Sequence, residues 1–86
     1  MTNHPRRAQG VLIQEVGGEV VALHTIADEI HQMNASASLI WRLYEEGTSV
    51  EEISRNLVEQ FEVDESAARA DAESTIERLR RLNIVV

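Results

Sequence analysis

His24 and His31 are the pair whose spacing most invites a metal ion. If Ala27-Asp28 forms a two-residue turn between strands, the two imidazoles lie directly opposite, with Cβ atoms about 5 Å apart. A structural zinc site takes a full tetrahedral set of ligands, however, and spacing fixes no third candidate, since His4 lies on an N-terminal arm. A cross-strand pair without metal is therefore the expectation. The serines offer as little. Ser36 and Ser38 fall inside a predicted helix, Ser49 and Ser54 follow a capping pattern, and no Gly-x-Ser-x-Gly elbow surrounds any of them. Caps and surface hydroxyls are their expected roles. Gly17-Gly18 has neither the lysine nor the following helix of a phosphate-binding loop. No catalytic group and no cofactor site emerge, so the chain is not expected to be an enzyme.

The elements that would carry these residues are legible from turns and caps. Val11 to Val16 and Glu19 to Ile26 are strand-like runs joined by Gly17-Gly18, a pair suited to the positive φ angles of a primed hairpin turn. Ala27-Asp28 makes a second turn into a short edge strand, Glu29 to Met33. Asn34 caps a helix from Ala35 to Glu46, which Gly47 stops. Thr48-Ser49-Val50-Glu51 reads as a capping box opening a second helix to about Glu62, with Ile53, Leu57 and Phe61 on one stripe. Asp64 caps a third helix, whose Ala68, Ala72, Ile76, Leu79 and Leu82 face inward. Asn83 ends it and leaves an apolar tail, Ile84-Val85-Val86, to dock on the body.

The fold class expected is thus α+β: a three-stranded antiparallel meander followed by three helices, with winged helix-turn-helix character. Residues 1–9 form a flexible arm and residues 10–86 a single domain in this reading. Both faces of the meander carry apolar residues, Val11, Ile13, Ala22 and Met33 on one and Leu12, Val21, Leu23 and Ile30 on the other. Pattern alone therefore does not fix which face is buried.

Charge narrows the partners. Fifteen acidic residues against eight basic ones, all of them arginine, give a formal charge of −7. That opposes nucleic-acid binding, which draws its affinity from cations neutralising phosphates. The second helix carries Glu51, Glu52, Glu59 and Glu62 against Arg55, and the arginines of the third are interleaved with Asp71, Glu73 and Glu77 at i, i+3 and i+4 spacing. A winged-helix DNA-binding regulator is the alternative function, and these charges speak against it. Trp41 and Tyr44, on one side of the first helix, read as core. No apolar run approaches the roughly 20 residues that span a bilayer, the basic pair Arg6-Arg7 has no apolar stretch behind it to make a secretory signal, and the absence of cysteine suits a reducing cytoplasm. What remains is the edge strand. Its unpaired N–H and C=O groups can accept an extended peptide as an additional strand.

Several stretches, in order, resemble the PqqD-like family, whose members serve as precursor-peptide recognition elements in the biosynthesis of ribosomally made, modified peptides. Met33-Asn34-Ala35-Ser36-Ala37 is similar to the family's Leu-Asn-x-[Ser/Thr/Gly]-Ala entry into its first helix, and Ile40-Trp41-Arg42-Leu43 follows in place. Glu46-Gly47-Thr48-Ser49-Val50-Glu51-Glu52-Ile53 resembles its Gly-x-[Thr/Ser]-Val-x-x-Ile. Leu57, Phe61 and Val63-Asp64 match the second helix and the cap of the third, and Leu79 to Val85 the closing helix and tail. Thr25-Ile26-Ala27-Asp28 stands where members of the pyrroloquinoline quinone pathway tend to carry a Tyr-Pro-Glu-Gly-like turn, and the chain looks equally like the stand-alone proteins of lasso-peptide clusters.

The resemblance implies a mechanism. The leader of a ribosomal precursor peptide would add as a strand in the cleft between the third strand and the third helix. That implies a site of Glu29, Ile30, His31, Gln32 and Met33, with Asp71, Ser74, Thr75 and Arg78 on the facing helix. A modifying enzyme, a radical-SAM protein or a leader peptidase, would act on the tethered peptide. No nucleic acid and no membrane would be involved. Both monomer and homodimer are compatible with the residues.

Overall fold

Gly17 and Gly18 sit at φ +60° and +83°, so the first turn is of the primed kind that matches strand twist. It pairs β1 (Val11–Val16) antiparallel with β2 (Glu19–His24). β3 (Glu29–Gln32) pairs antiparallel with β2, giving a sheet of order β1-β2-β3 with β3 at an edge. Three helices follow: α1 (Ala35–Glu45), α2 (Val50–Phe61) and α3 (Glu65–Arg81). The computed structural model describes residues 6–86 and has the expected α+β architecture, a three-stranded antiparallel meander followed by three helices.

The second turn differs from expectation. β2 ends at His24, which pairs with Glu29, and the loop is Thr25-Ile26-Ala27-Asp28 rather than Ala27-Asp28 alone. Asp28 supplies the left-handed residue of this turn, at φ +57°, a conformation that Asp tolerates better than most side chains. The shift moves the register by two residues, so His31 stands opposite Ala22 instead of His24. His24 is buried, and its Nδ1 accepts a hydrogen bond from Ala27 N–H at 3.2 Å. His31 Nε2 lies 3.1 Å from Glu29 Oε1. Among the described residues no group of three or more His, Cys, Asp or Glu could hold a metal ion.

Burial settles the sheet's orientation. Val11, Val20, Ala22 and Met33 are buried against the helices, while Leu12 and Ile30 on the other face are 57% and 72% exposed. α1 lies on β2, and α2 and α3 pack on α1 and on each other. Ile40, Trp41 and Tyr44 of α1, Ile53 and Leu57 of α2, and Ala68, Ala72, Ile76 and Leu79 of α3 complete the core. Arg80 Nη2 donates to the Tyr44 hydroxyl at 2.8 Å. Phe61 departs from its expected stripe: the last turn of α2 overhangs the core and leaves it 38% exposed.

Caps fix where the helices begin and end. Asn34 and Asp64 accept from the N–H groups of Ala37 and Ala67 at 2.8 and 2.7 Å. The cap of α2 is Ser49, accepting from Glu52 N–H, not Thr48 as the sequence pattern suggests. Thr48 is already committed: its N–H bonds Leu43 O, and Gly47 N–H bonds Tyr44 O, with Gly47 at φ +99°. Those two bonds form a Schellman motif closing α1, so Ser49 is the first residue free to open α2. α3 ends the same way, with Asn83 at φ +60°, Asn83 N–H on Arg80 O and Ile84 N–H on Leu79 O.

Of the stretch expected as an arm, residues 1–5, with His4, lie outside the described residues. Arg7 bridges antiparallel to Val85, Ala8 N–H bonds Ile84 O at 3.0 Å, and Val86 N–H bonds Arg6 O at 2.9 Å. Arg7 also pairs with Glu45 at 2.7 Å.

Ser38 joins the two layers. Its buried hydroxyl accepts from Val20 N–H at 2.9 Å and donates to Met33 C=O at 3.2 Å, inserting itself into the β2–β3 ladder where the chain leaves the sheet for α1. Ser38→Ala strands both backbone groups in the interior. It is expected to cost about 1–3 kcal/mol, read as a lowered midpoint in urea unfolding.

Candidate functional site

Backbone hydrogen bonds along β3 decide which of its groups are free. Met33 N–H bonds Val20 O at 2.9 Å, so residue 33 points its polar groups toward β2. Successive residues of a strand point theirs to opposite sides, and the register carries the alternation to His31 opposite Ala22 and Glu29 opposite His24. Ile30 and Gln32 therefore direct their N–H and C=O groups away from the sheet. Two donors and two acceptors line the open edge, with the spacing an added strand requires.

The edge faces a groove. α3 packs on α1 and α2 but makes no comparable contact with β3. Between them lies a groove of about 290 Å³, walled by Ile30, His31, Gln32 and Met33 on one side and Arg78, Leu79 and Leu82 on the other. Asn34, Ser36 and Ala37 at the start of α1 and Asp71, Ser74, Thr75, Arg78 and Arg81 of α3 enclose a second, more polar depression of about 350 Å³. Arg78 belongs to both walls. Among the described residues no hydrogen bond or ion pair engages its side chain, whereas Arg81 pairs with Glu77 at 3.4 Å and Arg69 with Glu73 at 3.8 Å.

The residues singled out from the sequence are thus distributed over two abutting depressions. Ile30 to Met33 and Arg78 line the first; Asp71, Ser74, Thr75 and Arg78 line the second. Glu29 lines neither and is instead beside His31. Thr75 is largely buried, and Ser74 donates to Asp71 C=O at 3.3 Å. Leu79, Leu82, Asn34, Ser36, Ala37 and Arg81 also form the walls, and the sequence does not mark them as site residues. Leu79 and Leu82 read as core from their spacing, and nothing in the sequence signals that the core face of α3 turns toward an open edge.

Protein-family comparison then adds the deciding observation: the model described as coenzyme PQQ synthesis protein D (PqqD) matches residues 11–85. The chain belongs to the PqqD family. Two solved structures resemble this PqqD-family chain. One is TbiB1 in complex with the TbiA(beta) leader peptide, 26% identical, with a TM-score of 0.84 and 93% of each chain covered. The other is a lasso peptide synthetase B1 complexed with the leader peptide, with a TM-score of 0.88 over 94% of this chain and 95% of that one; at 21% identity it establishes likeness of fold alone. No curated protein matches the chain significantly. No helix among the described residues of this PqqD-family chain is long and apolar enough to cross a membrane.

Proposed function

We propose that this chain captures the leader of a ribosomal precursor peptide as a fourth strand on β3 and presents it to a modifying enzyme, catalysing nothing itself. The observation that carries the reading is the unpaired polar edge of Ile30 and Gln32 facing the open groove beside α3. Backbone pairing supplies affinity, and the groove walls supply register and specificity. Alternate side chains of the added strand point into the groove over His31 and Met33; those between them join Ile30 and Gln32 on the exposed face. Tethering raises the effective concentration of the peptide at the enzyme, which needs no reactive group here. A radical-SAM protein or a leader peptidase, working in the cytoplasm, is the enzyme this reading calls for.

The experiment is an NMR titration of the labelled protein with the leader peptide encoded beside its gene. Large shifts concentrated in Glu29 to Met33 and α3 are expected. No shifts at near-millimolar peptide would sink the reading. Two outcomes refine it. Arg78→Ala should weaken binding about tenfold with little change in thermal midpoint, since it removes an unpaired cation that can donate to the peptide at the cost of no internal bond. Affinity should also change little between low and high salt in a fluorescence-anisotropy titration. A DNA-binding regulator predicts the opposite, a steep fall in affinity with salt.

A further inference from the structure

We propose that the peptide track continues past the end of β3, along α3, into an apolar depression between the end of α2 and the start of α3 that takes one bulky apolar side chain of the same peptide. This rests on the strand-addition reading and adds a second anchoring point to it. The depression, of about 440 Å³, is lined by Leu57, Phe61, Val63, Ala67 and Ala68. Phe61 and Val63 are 38% and 39% exposed, and stand either side of Glu62, where the chain reverses at φ +52°. Across from them α3 presents the methyl groups of Ala67 and Ala68, with Asp71 one turn further on, and none of these side chains is large enough to fill the space. Apolar surface of this kind gains by taking up an apolar group from water.

Continuity with the groove argues for the occupant. Ser36 and Asp71 line both this depression and the polar one beside it, and Arg78 lines both the polar one and the groove along β3. The three lie in series along α3, joined by shared walls. From Arg78 back to Ala67 the helix rises about 16 Å at its standard pitch. An extended peptide covers that in about five residues. A leader paired with Ile30 and Gln32 therefore reaches the depression with an apolar residue about five positions beyond its contact with Arg78, on the flank that leaves the Gln32 end of β3.

The test begins with random peptides of about 20 residues displayed and selected on the full-length protein. Enriched sequences should share a bulky apolar residue at that distance from the strand segment. One enriched peptide is then synthesised with this residue intact and with it changed to serine. The first should bind about ten- to thirtyfold more tightly, the scale expected for burying one apolar side chain. Phe61→Ser, which opens the depression, and Ala67→Phe, which fills it from an exposed position, should each erase that difference and leave the serine peptide's affinity unchanged. If both peptides bind equally to the parent, or if the variants weaken both alike, the second anchor is wrong while strand addition stands. Should Ile30→Pro bind the peptide as tightly as Ile30→Ala does, the strand-addition reading itself falls. A peptide-independent dimer lost in Phe61→Ser would assign the depression to a second copy of this chain and overturn the proposal.

Discussion

Substituting Ile30 by proline is expected to weaken peptide binding about ten- to a hundredfold while lowering stability little; proline at His31 is expected to destabilise the fold itself. The contrast follows from the register. The N–H of residue 30 points to the open edge, so a proline there deletes a donor offered to an incoming strand and no bond within the sheet. Glu29, which would precede the proline, is already extended, as an imino acid requires of its neighbour. The N–H of residue 31 points to Ala22, so the same substitution one step along breaks the β2–β3 ladder. Ile30→Ala is the control, because it removes the side chain and retains the donor. Binding by isothermal calorimetry and melting by circular dichroism read the two effects separately. Equal affinity for Ile30→Pro and Ile30→Ala would mean that no peptide backbone pairs with this edge.

Turn and cap chemistry makes most of the fold legible in the sequence. Gly17-Gly18, Asn34, Gly47, Asp64 and Asn83 each act within a few residues, through φ angles or through a side-chain oxygen in reach of an orphan N–H, and each stands where its type suggests. The misreadings are equally local. Thr48-x-x-Glu51 and Ser49-x-x-Glu52 satisfy the same pattern, and the choice between them is made by the bond from Thr48 N–H back to Leu43 O, which belongs to the preceding helix. The turn after His24 is longer than its sequence suggests because Asp28, not a glycine, takes the left-handed position. Which face of the meander is buried was hidden because Leu12, Leu23 and Ile30 match the opposite face in apolar character and only the helix layer chooses between them.

The groove was less legible than the elements forming it. A cleft is a gap, and here the gap exists because α3 is held by α1 and α2 while β3 is held only by β2. No residue type encodes that arrangement. Resemblance to a family, not periodicity, brought β3 and α3 together in advance. The same reason explains the missed walls: Leu79 is buried from one side by the core and borders the groove on the other, and its sequence signal reports only the first.

That double role makes the end of α3 the place where stability and binding are coupled. Ile84, fully buried, and Val85 follow the Schellman turn, and Ile84 N–H satisfies the carbonyl of Leu79 in the groove wall. Ending the chain after Asn83 exposes the core that both side chains cover and frees the last turn of α3 to fray. Two such side chains contribute about 3–6 kcal/mol, against a total of about 4–13 kcal/mol for a domain of this size. The truncated protein is expected to be largely unfolded or close to it at 37 °C, and what remains folded should bind peptide weakly, because Leu79 and Leu82 no longer have a fixed end to stand on. Removing Val86 alone, which is exposed and loses one bond to Arg6 C=O, should cost only about 1 kcal/mol. Urea unfolding of the two truncations, with and without peptide, separates the causes: if the tail braces the groove, stability and affinity are lost together in the longer truncation. Full affinity in a destabilised protein would mean that the groove wall holds without the tail.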